Sequence, residues 1–271
     1  MRSKALSFLK YTFLILCSFV SIFPFYWMIA GATNTSNKIA EGKLSLGSNL
    51  LKNLSDLLEG YNIPLIMWNS LKVSLVTAVL SLIVTSMAAF GFEKFTTRKS
   101  EIIYSILLLF MMIPFATLVI PLFKMMAGLD LINQHLAIIL PSVSNIFLVF
   151  FFRQSFKSFP DDIIDSGRVE GAGNYKIFFK LVFPMMKSAY AAAAIYSFMN
   201  VWNSYLLPLI ILQTEDKYTM TLLISGLSSA SYVANYGVQM VAITIATMPT
   251  LVLFLIMQKS FVAGMTGSLK A

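Results

Sequence analysis

Six long stretches of this sequence carry no Asp, Glu, Lys or Arg: residues 11–37, 73–92, 102–123, 131–152, 188–214 and 218–258. Each can hold the roughly 20 consecutive residues that an α-helix needs to cross a hydrocarbon core. Lipid offers no partner to a free backbone N–H or C=O, and a helix bonds all of its own. The sequence therefore predicts an all-α integral membrane protein with spans near 11–32, 70–92, 102–123, 132–152, 186–211 and 238–258. In the last stretch the first part, TMTLLISGLSSASYVANYG, is rich in Gly and Ser, so the span falls near its end. Composition agrees, since 58% hydrophobic and 12% charged residues with a mean hydropathy of +0.78 lie far from soluble averages.

A formal net charge of +8 would suit a nucleic-acid binder if the charge were gathered on one folded surface. Its distribution points elsewhere. With a cytoplasmic N-terminus, fourteen of the twenty Lys and Arg fall in segments on the inner side, from Arg2, Lys4 and Lys10 to Lys259 and Lys270. Six fall outside: Lys38, Lys43, Lys52, Lys72, Lys124 and Lys217. Acidic residues divide evenly, so the excess positive charge is all on the inner face and both termini are expected in the cytoplasm. The basicity is topology, and no nucleic-acid partner is expected.

Arg2 and Lys4 before an apolar run resemble a signal peptide, but the run continues through SIFPFYWMIAGA, longer than a signal core, with Trp27 as an interface anchor. A retained first helix is expected. Cys17 is the single cysteine and falls within it, which excludes an internal disulfide or a multi-cysteine metal site. His135, the single histidine, sits at the outer start of the fourth span without neighbouring ligands, so it reads as interface polarity. The outer connection at 33–68 contains LLKNLSDLLEGY, a short amphipathic helix by its period, and the connection at 213–237 is polar and partly helical. Pro24, Pro114, Pro121, Pro141, Pro208 and Pro249 all fall within spans. Together they favour a bundle whose neighbours or wet interior satisfy the freed backbone groups. One membrane domain, residues 1–271, is the economical reading.

The inner loop after the second span is short, EKFTTRKS, whereas the loop at 153–185 between the fourth and fifth spans is long and patterned. Pro160 with Asp161 and Asp162 is a good helix start, and Ile163, Ile164 and Val169 continue a helical period until Gly171 and Gly173 end it. A second helix can start at Asn174 and run through Tyr175, Ile177, Phe178, Leu181 and Val182 until Pro184. Two short helices joined by a glycine turn can form a rigid knob that transmits force from a soluble partner. The same pattern also fits an amphipathic pair on the inner leaflet, with Lys176, Lys180 and Lys187 among lipid headgroups.

Asp165-Ser166-Gly167, then Gly171, then Leu181, Phe183 and Pro184 resembles the Glu-Ala-Ala, then Gly, then Ile-x-Leu-Pro pattern of ABC importer permeases. The glycine falls six residues after the acidic position and the proline thirteen after the glycine. MWNSLKVSLVTAVLSLIVTSMAAFGFEKF, FMMIPFATLVIPLF, MNVWNSYLLPLII and the ending QKSFVAGMTG are similar to segments of the shorter permease subunit of maltose-type importers. The departure is Asp-Ser-Gly where that family has Glu-Ala-Ala. The resemblance implies coupling of Asp165, Ser166, Gly167, Gly171, Leu181, Phe183 and Pro184 to an ATP-binding subunit. It further implies two copies of that subunit, a second homologous permease, an extracytoplasmic solute-binding protein, a sugar substrate, and a multi-pass place in the bilayer of a bacterial inner membrane.

Asn200, Trp202, Asn203 and Tyr205 in the fifth span are candidate pathway residues, because carboxamides and aromatic rings suit sugar hydroxyls and ring faces. Interhelical packing is the other use of such residues. No G-x-x-x-x-G-K-[ST] phosphate loop occurs, so ATP would be hydrolysed on another chain, and no cofactor is implied. An ABC permease for a non-sugar solute is the alternative within the family. An ion-coupled secondary transporter would be expected to hold an acidic residue inside a span, and none of the six stretches has one. A membrane enzyme would need a histidine and carboxylate cluster, which is missing.

Overall fold

The computed structural model describes residues 2–229 and 235–265. Lys270, the last two residues of QKSFVAGMTG and the centre of the polar connection at 213–237 lie outside the described residues, as do the side chains of Arg2, Lys4 and Lys259. Every regular element among the described residues is helical. In chain order these are α1 (Arg2–Ala32), α2 (Ser36–Ala40), α3 (Leu50–Gly60), α4 (Ile63–Lys94), α5 (Arg98–Phe110) and α6 (Phe115–Gly128). Next come α7 (Leu136–Val143), α8 (Ile146–Lys157), α9 (Asp161–Val169) and α10 (Asn174–Ile177). A π-helical turn, Phe178–Val182, leads into α11 (Phe183–Met185), followed by α12 (Lys187–Trp202) and α13 (Leu206–Ile211). The last described elements are α14 (Met220–Ser229) and α15 (Tyr236–Met265).

Among the described residues, four helical segments are long and apolar enough to cross a bilayer unaided: Leu6–Ala32, Ile63–Lys94, Leu136–Lys157 and Tyr236–Gln258. Two further pairs reach that length only together, and each is bent, so the spans number up to six. The stretch expected as one helix over 102–123 breaks between α5 and α6, which meet at 104°. The amides just past α5 are bonded to carbonyls three residues back, Met111 to Leu108, Met112 to Leu109 and Ile113 to Phe110. Pro114 then has no N–H to continue the ladder and sits extended at φ −60°, ψ 132°. The stretch at 186–211 is also discontinuous. It ends its first helix at Trp202 and restarts at Leu206, with Pro208 in the new helix's first turn, where its missing N–H costs nothing.

Packing divides the chain into two compact units, Met1–Pro64 with Leu223–Met248, and Leu65–Leu222 with Pro249–Ala271. In the first, the end of α1 is closed by carboxamides. Asn53 on α3 donates to the carbonyls of Ala32 (2.9 Å) and Asn34 (3.0 Å), and Asn34 donates to those of Ala30 and Ser45. Gly237 is required here, because a Cβ would stand 2.6 Å from Asn53 Nδ2. The amphipathic helix expected within LLKNLSDLLEGY is α3, which buries Asn53 and Leu57 and exposes Leu50, Leu51 and Leu58.

The second unit has two main apolar clusters. One joins Phe90 of α4, Leu148, Phe152 and Phe156 of α8, Ile164 of α9 and Phe178. The other joins Val73, Met126, Ile138, Val201, Leu207 and Ile211. Along α4 the buried side chains Ser70, Ser74, Thr77, Ser81 and Thr85 follow a helical spacing, and small polar residues of this kind let helices approach closely. At one end of this unit Asn133, in the left-handed region at φ 61°, accepts from the amide of Gln213, and Asn69 donates to the carbonyls of Asp216 and Tyr218. The opposite end carries the patterned loop.

Candidate functional site

The segment at 153–185 folds as two short helices joined by a tight turn. Pro160 precedes α9 in an extended conformation, and Asp161 and Asp162 occupy its first turn, where partial positive charge favours them. Ile164 and Gly167 are buried, whereas Asp165 and Ser166 face outward. The Asp165 side chain is 63% exposed and pairs with Arg168 one turn on at 2.9 Å. Ser166 Oγ donates to the carbonyl of Asp162.

The turn is specified by two amide bonds. Ala172 N donates to Gly167 O and Gly171 N to Arg168 O, both at 2.9 Å, the pair that closes a helix through a left-handed residue. That residue is Gly171, at φ +77°. Gly171→Val should destabilise the segment by roughly 1–2 kcal/mol, the cost of a side chain in that region. Thermal unfolding of the purified, assembled protein followed by tryptophan fluorescence checks this, with Gly171→Asn expected to lose less; equal melting of the Val variant and the parent would remove the turn from the account.

The second helix begins as α10, widens into the π-turn and ends as α11, meeting α12 at 86°. Ile177, Phe178 and Val182 are buried, Leu181 is half-buried, and Phe183 and Pro184 are exposed, with the Phe183 ring against Tyr190 at 4.5 Å. The two helices touch where Gly167 faces Leu181 and Ile177, and a Cβ at 167 would stand 2.9 Å from Leu181 Cδ1. Thus Gly167, Gly171 and Leu181 build the knob, while Asp165 and Ser166 are presented by it. Val169, 90% exposed, and Tyr175 add apolar contact area on the same segment.

Sequence reasoning missed how this segment is held. Arg153 on α8 is only 6% exposed, and its Nε donates to Glu93 Oε2 at 3.0 Å. Its Nη2 donates to Glu101, and its guanidinium lies 4.0 Å over the Tyr104 ring. Lys94 donates to Phe159 O at 3.2 Å and Asp161 Oδ1 at 2.7 Å. The signal available was the pair of glutamates bounding EKFTTRKSE beside an arginine at the start of the long loop.

The pathway candidates do not form one exposed set. Asn200 and Asn203 are exposed, but Trp202 is 4% exposed, stacked on Phe198 at 5.4 Å, and its carbonyl accepts from Thr221. Tyr205 is half-buried against the Val73–Ile211 cluster. His135, as read from the sequence, lies at a helix start, with Nε2 2.9 Å from Lys217 O.

A family described as the inner membrane component of binding-protein-dependent transport systems matches residues 81–267, which include the whole knob. The chain belongs to that family. The permease is 44% identical over 270 residues to the lactose transport system permease protein LacG of Rhizobium radiobacter, covering 100% of this chain and 98% of the relative. It is 33% identical over 264 residues to the arabinooligosaccharides transport system permease protein AraQ of Bacillus subtilis, covering 94% and 92%. Its fold matches a chain of a bacterial ABC transporter involved in the import of the polysaccharide alginate, with a TM-score of 0.81 at 19% identity over 96% of the permease and 98% of that chain. The permease is therefore a multi-pass membrane subunit of a transport system.

Proposed function

We propose that the permease forms half of the translocation pathway of an ATP-driven importer for sugars, oligosaccharides in particular, in a bacterial cytoplasmic membrane. The single observation that carries this reading is the full-length likeness to the lactose permease. ATP is hydrolysed by two copies of a separate ATP-binding subunit, a second homologous permease completes the pathway, and an extracytoplasmic binding protein delivers the solute. The chain works as one transmembrane domain, residues 1–271, with both termini in the cytoplasm and the segment 153–185 projecting there as coupling helices.

In this reading Asp165, Ser166 and Phe183 meet the ATP-binding subunit, and Gly167, Gly171, Leu181 and Pro184 give the knob its shape. An exposed carboxylate on a helix whose other face is packed into the core is suited to that role, because it can be gripped without unfolding what carries it. Asn200, in the last turn of α12, and Asn203, its C-cap, lead into the break in the fifth span, a place where irregular backbone can line a wet pathway. Trp202 contributes by holding that break through its packing, not by offering a ring face.

The test is uptake by proteoliposomes holding the permease assembled with an ATP-binding subunit and a second permease. Labelled lactose and arabino-oligosaccharides should enter only with internal ATP and the loaded binding protein outside. Uptake of neither class would overturn the sugar assignment, and uptake driven by an ion gradient without ATP would overturn the importer class.

A further inference from the structure

Arg153 is a cation almost wholly removed from solvent, at the base of the segment proposed to receive force. Packing alone does not account for it. Its neighbours on α8, Phe152 and Phe156, are fully buried apolar residues, and an apolar side chain in place of a buried ionic cluster is often neutral or stabilising. What a buried arginine adds is geometry, since its planar fork can hold two carboxylates in fixed directions as the point charge of lysine cannot. Here the two carboxylates come from different helices, Glu93 from the end of α4 and Glu101 from the first turn of α5, and the Tyr104 ring under the guanidinium fixes its plane.

The turn between α4 and α5 makes further contacts. Lys94, next to Glu93, reaches the carbonyl of Phe159 and the carboxylate of Asp161, so the turn holds α8 through Arg153 and the start of α9 through Lys94. Arg168 at the far end of α9 lies 5.9 Å from the Phe95 ring of the same turn. Asp165 falls between Asp161 and Arg168, in the middle of a helix held at both ends.

We propose that Arg153 is a positioning residue for coupling: its bracket onto Glu93 and Glu101 clamps the α4–α5 turn to α8 and, with Lys94 on Asp161, makes that turn move with the knob, so that a push received at Asp165 is shared among the second, third and fourth spans. Without the bracket the knob still docks, but the turn is left on Lys94 and Phe95 alone and less of the motion reaches the second and third spans. This rests on the coupling role proposed for the segment 153–185.

The experiment compares Arg153→Met, Arg153→Lys and Glu93→Gln in the complete complex in proteoliposomes, reading assembly, ATP turnover with loaded binding protein, and solute imported per ATP hydrolysed. For Arg153→Met the solute-to-ATP ratio should fall between about twofold and about thirtyfold, the span that coupling residues distant from a ligand produce. Arg153→Lys, which keeps the charge and loses the fork, should fall between Met and the parent. Glu93→Gln, which keeps the shape and loses one charge, provides the test if Arg153→Met fails to assemble, and its ratio should also fall. A merely structural role would lower the amount of complex and leave the ratio at the parent value, and that result overturns the proposal. Asp165→Lys is run alongside: if it too leaves coupling intact, the coupling role of the segment has failed, whereas uncoupling by Asp165→Lys with an unchanged ratio in the Arg153 and Glu93 variants removes only the bracket.

Discussion

Asp165→Lys should abolish the stimulation of ATP hydrolysis by loaded binding protein in the assembled complex, while the amount of permease in the membrane stays at the parent level. The two halves of this expectation have separate causes. Among the described residues Asp165 pairs with Arg168 on its own helix, and both side chains are exposed, so the pair contributes under about 1 kcal/mol and its loss cannot unfold the segment. Against a basic residue on the proposed ATP-binding partner, reversing the charge places like charges together on docking, which costs about 2–5 kcal/mol, or more than tenfold in occupancy of the docked state. Asp165→Glu, the acid that the family pattern carries there, should retain stimulation. The decisive measurement is ATP turnover of the detergent-free complex with and without loaded binding protein. Undiminished stimulation in Asp165→Lys would remove the residue from the coupling contact.

The same experiment separates the knob from the other use its sequence allows. If the segment lay on the inner leaflet with Lys176, Lys180 and Lys187 among headgroups, an added lysine at 165 would strengthen its attachment to anionic lipid, and ATP turnover would not register the change. The geometry also bears on this choice. Asp165 and the exposed Val169 and Tyr175 are carried on helices whose other faces pack into the Phe90–Phe178 cluster, so the segment is anchored by protein contacts rather than by lipid.

The charge-free stretches and Lys/Arg spacing made the helical class legible, and the glycine and proline positions marked the knob's ends to within a residue or two. The backbone breaks were less so. Hydropathy reports that 102–123 is apolar, and Pro24, Pro121, Pro141 and Pro249 all remain inside helices, so nothing local distinguished Pro114 as the one at which a span turns through 104°. The bracket was hidden for a different reason. Counting charges treats each residue alone, whereas Arg153 meets partners 60 and 52 residues away, and only tertiary packing brings them together. For Trp202 the sequence left two uses open, a sugar contact and interhelical packing. In the fold its ring is buried and stacked on Phe198, a tertiary contact that the residue type alone does not reveal.

Gly167 carries the last expectation, because the sequence alone reads it as a weak point in a helix, about 1 kcal/mol worse than alanine. In the fold it is where α9 comes nearest to the second helix. A Cβ there would meet Leu181 Cδ1 at 2.9 Å and Ile177 Cγ1 at 3.3 Å. The nearest atom is the tip of a flexible, half-buried side chain, so Gly167→Ala, which restores the family's small residue, should be tolerated and leave transport within about twofold of the parent, its helix gain offsetting the crowding. Gly167→Leu is different, since four heavy atoms cannot be accommodated by moving one methyl group. The helices must part, at about 1–3 kcal/mol for overpacking, and Asp165 is carried out of register with whatever receives it. Import should then fall by an order of magnitude or more while spans that do not touch the knob remain inserted. Shortening the facing side chain tests the cause directly: Leu181→Ala in the Gly167→Leu background should recover much of both the melting temperature and the import rate, because residues in contact are coupled and distant ones are not. Recovery by Leu181→Ala and not by an equally drastic truncation at Phe198, which packs with Trp202 in another cluster, ties the effect to this contact. No recovery by Leu181→Ala would mean that Gly167 matters for a reason other than the closeness of the two helices.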